Sequence, residues 1–156
     1  MDMEGDSLNM KIGIVSDHRG VYLKNILIEY LEHSGYEVMN YGTDTMESVD
    51  FPEYAFKLGD ALTKKKIELG IAICGTGIGM SIALNKVKGI YCAKISNISE
   101  AMLCRSHNNA NVISISADID EEQAKSMVDK FIITPFSNID KYVKRNKMIK
   151  DKEKNG

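Results

Sequence analysis

The chain is poor in cysteine, histidine and arginine, and each shortage excludes something. Its three cysteines, Cys74, Cys92 and Cys104, are an odd set without CxxC spacing, which argues against a disulfide framework and against a structural zinc site. HxH, HExxH and clustered carboxylates are missing as well, so no metal centre is expected. No run approaches the roughly 18 apolar residues of a membrane span. The first ten residues, MDMEGDSLNM, lack the basic stretch and apolar core of a secretory signal, and cytoplasm is the expected compartment. An excess of charge of one sign is also lacking. Twenty Lys and Arg against 22 Asp and Glu leave a net charge of -2, which gives no general reason to expect nucleic acid or an anionic membrane as partner. Only Arg19, Arg105 and Arg145 carry a guanidinium. With no internal repeat and no Pro/Gly-rich linker, nothing divides the chain.

What is present is the composition of one soluble domain: 156 residues, 44% hydrophobic and 27% charged, long enough for a sizeable core. Residues 1–10 are expected to form a flexible extension, 11–150 the domain, and 151–156 a charged tail. Apolar runs suited to buried strands occur at 11–16, 36–41, 67–73, 89–95 and 112–116. Between them, apolar residues recur at three- and four-residue steps, as in Leu23, Leu27, Tyr30 and Leu31 or Tyr54, Leu58, Ala61 and Leu62. Pro52 falls where a helix can open, and Asp118 or Asp120 can cap the helix bearing Ala124, Met127, Val128 and Phe131. A last helix over 139–150 is expected to fray into the tail. Alternating strands and helices predict a three-layer, doubly wound α/β domain: five parallel strands, helices on both faces, and a C-terminal helix.

The densest signal is ICGTGIGMS, residues 73–81. Gly75, Gly77 and Gly79 sit between a strand and a helix, where bare glycines let successive amides converge on an oxyanion. A dinucleotide fingerprint fits poorly, because the third glycine comes one residue early and the loop follows the third strand. No Lys-Ser or Lys-Thr pair follows, as a triphosphate loop needs. A plain structural turn is the alternative. Cys74 opens the loop at a strand's carboxyl end, near a helix N-terminus, where a thiol has reason for a lowered pKa. It can serve as base or nucleophile, whereas Cys92 and Cys104 suit small buried hydrophobes. Thr76 can place its hydroxyl beside the same atoms.

Of three histidines, His33 suits a helix end. Asp17 and His18 follow the first strand, at the sheet edge where parallel sheets bind ligands. There His18 can donate to an anion and Asp17 accept from a hydroxyl, or Asp17 can cap the next helix. His107 lies in RSHNNANV, whose asparagines either serve chemistry or satisfy loop backbone. Cys74 and Asp17 end strands, but His107 precedes one, so in one subunit they should occupy opposite sheet edges. A two-fold dimer is the easiest way to bring them into one site. A thiolate, an amide-lined loop, a histidine and an Asp-His pair suit proton abstraction beside a carbonyl, and no redox cofactor is required.

These residues carry a resemblance. SDH at 16–18, GT at 42–43, SVDFPEYA at 48–55, ICGTGIGMSIALNKVKGI at 73–90 and RSHNNANV at 105–112 resemble the ribose-5-phosphate isomerase B family, which includes galactose-6-phosphate isomerase subunits. The resemblance spans about 11–149. It implies aldose–ketose isomerisation of a sugar phosphate through an enediolate, without cofactor, in a homodimer, sometimes a tetramer, with sites shared between subunits. It makes Cys74 the base between C1 and C2, assisted by Thr76. The amides of Gly75, Gly77, Ile78 and Gly79, with Asn108, would hold the enediolate. His107 and Asp17 would open the sugar ring, and His18 would contact phosphate. Relatives without the cysteine use a glutamate where Met80 stands, so this chain resembles the cysteine type.

The chain departs from that pattern at the anionic end. Asp118 stands where the family has an arginine, and Asn109 where it usually has an aspartate. The GGRH segment and its later arginine become Asn138, Ile139, Asp140, Lys141 and Lys144. Lys141, Lys144 and Arg145 are the expected replacements, and a solvated helix face is the other reading of that cluster. Ribose 5-phosphate is the first expected substrate. Allose 6-phosphate, galactose 6-phosphate, a tetrose phosphate or a free sugar is the alternative, and a non-catalytic sugar-phosphate-binding protein the third.

Overall fold

The computed structural model describes residues 10–156, so the expected N-terminal extension, Met10 apart, lies outside the described residues. Strand β1 (Lys11–Ser16) is buried at every position after Lys11, and β3 (Leu69–Cys74) at all six, the pattern of strands covered on both faces. With β2 (Glu37–Asn40), β4 (Cys92–Lys94) and β5 (Val112–Ser116) they form one sheet in the order β2-β1-β3-β5-β4. Every pairing is parallel, with Ser16 beside Ile73 and Cys74 beside Ser116.

Period-two alternation sends strand residues to opposite cores. Ile12, Ile14, Ile71, Ile73, Ile113 and Ile115 meet α1 (Val21–His33), α4 (Ile98–Ser106) and α5 (Glu121–Ile133). Val15, Ala72, Cys74 and Val112 meet α2 (Phe51–Thr63) and α3 (Ile78–Leu84) on the other face. Leu27, Leu31 and Phe131 are wholly buried in the first core, and truncating such a residue costs about 2–5 kcal/mol.

Local chemistry sets the element ends. Gly35, at φ 97°, stops α1 in a backbone region that suits glycine. Pro52 lies in the first turn of α2. Asp120, rather than Asp118, caps α5 by accepting from Gln123 N at 3.2 Å. The edge strand β4 is only three residues long.

The C-terminal segment departs from expectation. Helix α6 (Asp140–Asn155) runs on through the residues expected to fray. Glu153 anchors it by accepting from Tyr91 Oη at 2.8 Å and Gly89 N at 3.1 Å. Burial and the Glu153 carboxylate push the Tyr91 hydroxyl up to about 12. No α6 residue is buried, so the helix lies on the domain instead of within it.

Candidate active site

The sheet order reverses between β1 and β3, since β2 lies on one side of β1 and all later strands on the other. Loops after β1 and β3 therefore diverge and leave a crevice at their carboxyl ends, where open parallel sheets bind ligands. Asp17 directly follows β1 and Cys74 ends β3, so both stand at this crevice.

Cys74 is 5% exposed, and its Sγ accepts from Gly77 N at 3.2 Å. The thiol is thus enclosed by its own loop, with an N–H aimed at the sulfur. Gly77 holds φ 83°, and a Cβ there would stand 3.0 Å from the Ile115 carbonyl carbon. Only glycine meets both conditions. Thr76 Oγ1 accepts from Ile78 N at 3.1 Å, a local turn that occupies an amide expected to face substrate. The Gly77 and Ile78 amides are therefore engaged by side chains of the loop itself. Those of Gly75, Thr76 and Gly79 form no hydrogen bond among the described residues.

Two serines brace the loop. Ser114 Oγ donates to Gly77 O and Ser116 Oγ to Gly75 O, each at 2.8 Å. The β3–β5 register explains this, because Ser114 stands beside Ala72 and Ser116 beside Cys74. Sequence reasoning missed both serines. Their alternation in VISIS was the available signal, because it places them on one face of β5.

Asp17 is 7% exposed and caps the short turn His18–Gly20, its Oδ1 accepting from Arg19 N at 2.9 Å and Gly20 N at 3.3 Å. Both contacts use Oδ1, so capping and a substrate contact through Oδ2 are compatible. His18 Nδ1 accepts from Val49 N at 3.2 Å. That bond fixes the neutral ring with its proton on Nε2, which can then donate to an anion.

The remaining expected residues lie elsewhere. His107 follows α4 and precedes β5, at the amino edge of the sheet, whereas Cys74 is level with the far end of β5. Its half-buried ring stacks on Tyr142 of α6 with centroids 4.2 Å apart, and its carbonyl accepts from Asn146 Nδ2 at 2.8 Å. Lys141, Lys144 and Arg145 are exposed on the same helix, with Lys141 Nζ 5.1 Å from the Tyr142 ring. The structure thus groups His107 with the basic helix and Cys74 with Asp17, His18 and Thr76. It does not join the two groups within one chain.

The asparagines divide as well. Asn111 Nδ2 donates to Gly89 O at 2.8 Å and its Oδ1 accepts from Tyr91 N at 2.9 Å, while Asn109 Oδ1 accepts from Arg105 Nη1 at 3.2 Å. Those two hold backbone and loop in place. Asn108 is exposed and lines a cavity of about 800 Å³ between the amino edge and α6. The other cysteines behave as small hydrophobes, Cys104 buried and Cys92 half-buried, and His33 as a helix-end residue. Burial pushes the Cys92 thiol up to about 12 and the Cys104 thiol up to about 11. His33 Nδ1 lies 2.9 Å from Glu29 O. Among the described residues, no group of three or more His, Cys, Asp or Glu could hold a metal, and no helix is long and apolar enough to cross a membrane.

Comparison with known proteins identifies the fold and the family. The chain is 39% identical over 123 residues to ribose-5-phosphate isomerase B of Escherichia coli, covering 78% of this chain and 83% of that protein. The structure of Clostridium thermocellum ribose-5-phosphate isomerase B superposes with a TM-score of 0.91 at 39% identity, over 94% of this chain and 99% of the other. Ribose-5-phosphate isomerase B of Mycoplasma genitalium, solved with bound ribulose-5-phosphate, superposes with a TM-score of 0.90 at 35% identity, over 94% and 98%. The family model for ribose/galactose isomerases matches residues 12–149, and the chain belongs to that family of enzymes.

Proposed function

We propose that this protein interconverts ribose 5-phosphate and ribulose 5-phosphate through an enediolate, with Cys74 as the base. The observation that carries this is the enclosed Cys74 thiol, set in a serine-braced glycine loop at the sheet's switch point. Similarity to a relative solved with ribulose-5-phosphate favours the pentose phosphate over larger sugars.

In the open-chain aldose, the Cys74 thiolate takes the C2 proton and the C1 carbonyl oxygen gains the enediolate charge; the C2 hydroxyl proton then passes to the C1 oxygen, and the thiol returns its proton to C1 as the C2 carbonyl forms. Amides of Gly75, Thr76 and Gly79 are the donors for that oxygen. While Sγ is a thiolate, the Gly77 N–H donates to it. Ring opening needs a proton moved from the anomeric hydroxyl to the ring oxygen, a task for Asp17 and His107. His18 Nε2–H faces the phosphate, with Lys141, Lys144 and Arg145 as further cations. Because His107, Asn108 and those cations lie at the other edge, the working unit is a two-fold dimer in which His107 of the partner subunit completes each site.

Aldose–ketose conversion of ribose 5-phosphate, allose 6-phosphate, galactose 6-phosphate and the free sugars tests this directly. Wild type should prefer ribose 5-phosphate, and Cys74→Ala should lose about 10²–10⁴-fold in kcat. No turnover of any sugar by wild type defeats the isomerase reading, and activity unchanged in Cys74→Ala defeats the assigned base.

A further inference from the structure

Arg19 has no part in the mechanism above, yet its guanidinium lies along the glycine loop. A Cβ placed on Gly75 would stand 3.0 Å from Arg19 Nη1 and 3.2 Å from Cζ, so the cation occupies the space that this glycine leaves open. Gly75 directly follows Cys74. The turn that carries Arg19 is fixed by Asp17, which accepts from Arg19 N at 2.9 Å. Arg19 is exposed, and among the described residues it forms no ion pair. A guanidinium thus lies at the crevice with no ion-pair partner among the described residues.

The turn after β5 reaches the same glycine from another direction. Ser116 Oγ donates to Gly75 O at 2.8 Å and accepts from Asp118 N at 3.1 Å. The Asp118 backbone therefore stands close to the crevice as well, and a carboxylate carried there disfavours a phosphate dianion. The carboxyl-side turns of the three central strands, residues 17–20, 75–77 and 117–120, carry Asp17, Asp118 and Asp120 against one Lys or Arg, Arg19. His18, the neighbour of Arg19, presents an Nε2 proton but no fixed charge. A dianion entering this edge needs a cation, and a planar fork of N–H donors suits phosphate better than a point charge.

We propose that Arg19 grips the substrate's phosphate from the Cys74 side of the site and so sets the preference for phosphorylated over free sugars. It takes the role that Asp118 makes unfavourable in the turn after β5. The proposal rests on the sugar-phosphate reading given above.

The test compares wild type, Arg19→Ala, Arg19→Lys and Asp118→Asn, with ribose 5-phosphate and ribose as substrates and inorganic phosphate as competitive inhibitor. In Arg19→Ala, the KM for ribose 5-phosphate and the inhibition constant of phosphate should both rise about tenfold or more, as loss of a charge-assisted contact requires. The preference for the phosphorylated sugar should fall by a similar factor. Arg19→Lys should recover part of the loss, and Asp118→Asn should tighten phosphate binding. Constants for Arg19→Ala within about twofold of wild type overturn the proposal. Equal losses on ribose and ribose 5-phosphate overturn it too, because they mark Arg19 as a support of the loop. A wild type that converts no sugar phosphate defeats the isomerase reading, and this proposal with it. Normal wild-type turnover with unchanged Arg19→Ala constants defeats this proposal alone.

Discussion

Cys74 and His107 are positioned by different physics. The sulfur is enclosed and fixed by an amide 3.2 Å away, whereas the imidazole is half exposed and held by a ring stack. An aromatic pair of this kind is worth about 0.5–1.5 kcal/mol, so Tyr142→Ala should lower kcat by up to about tenfold while Tyr142→Phe stays near wild type. Steady-state kinetics of both variants, with a thermal melt to confirm folding, checks this. Cys74, His18 and His107 stood out in the sequence because thiols and imidazoles are scarce here, the first two at the carboxyl ends of strands and the third in the asparagine-rich connection before β5. Tyr142 was not, since an aromatic residue within a basic helix gives no sign of which ring it will meet. Thr76 was legible as a loop residue, but Ile78 opens α3, and the hydrogen bond from its N–H to Thr76 Oγ1 is a conformational detail that spacing alone does not carry.

At the scale of elements, the glycine loop depends on β5. Ser114→Ala removes one of two donors to the buried Gly77 carbonyl, which also accepts from Ser81 N at 3.2 Å, and should cost about 0.5–1.5 kcal/mol of stability, measured by urea unfolding. A second tether joins α1 to the segment after β2. Lys24 is fully buried, and its Nζ donates to Asp44 Oδ1 at 2.7 Å and Asn40 Oδ1 at 3.1 Å. Those hydrogen bonds from Lys24 and Asn40 hold the Asp44 carboxyl below its ordinary value of 3.8. A lowered folded-state value stabilises the fold above the ordinary value, and the contribution is lost as pH falls through the lowered one. Asp44→Asn should therefore weaken the protein at neutral pH and converge with wild type once the pH has fallen through the lowered Asp44 value, as unfolding midpoints from neutral into acid will show. Strands and crossover helices were legible because their apolar periods are strong. The continuation of α6 was not, because Glu153 reaches back to Gly89 and Tyr91, and a polar, lysine-rich run gives no local sign of such an anchor.

For the whole molecule, the parallel sheet places Cys74 and His107 at opposite edges. Every strand points the same way, so residues that end strands and residues that precede them lie at opposite edges. That consequence could be argued from sequence before any geometry was known. The sheet order and the resulting switch point between β1 and β3 could not, because alternation fixes element type but not lateral order. The resemblance to ribose-5-phosphate isomerase B led to the same family that the comparisons identify. The central claim is that each working site joins Cys74 of one subunit to His107 of the partner subunit. Mixing Cys74→Ala and His107→Ala subunits, each nearly inactive alone, tests it most directly. Random reassembly makes half the dimers mixed, each with one intact site, so activity should return to about a quarter of wild type. Mixed dimers shown to form, with no activity regained, would contradict the account.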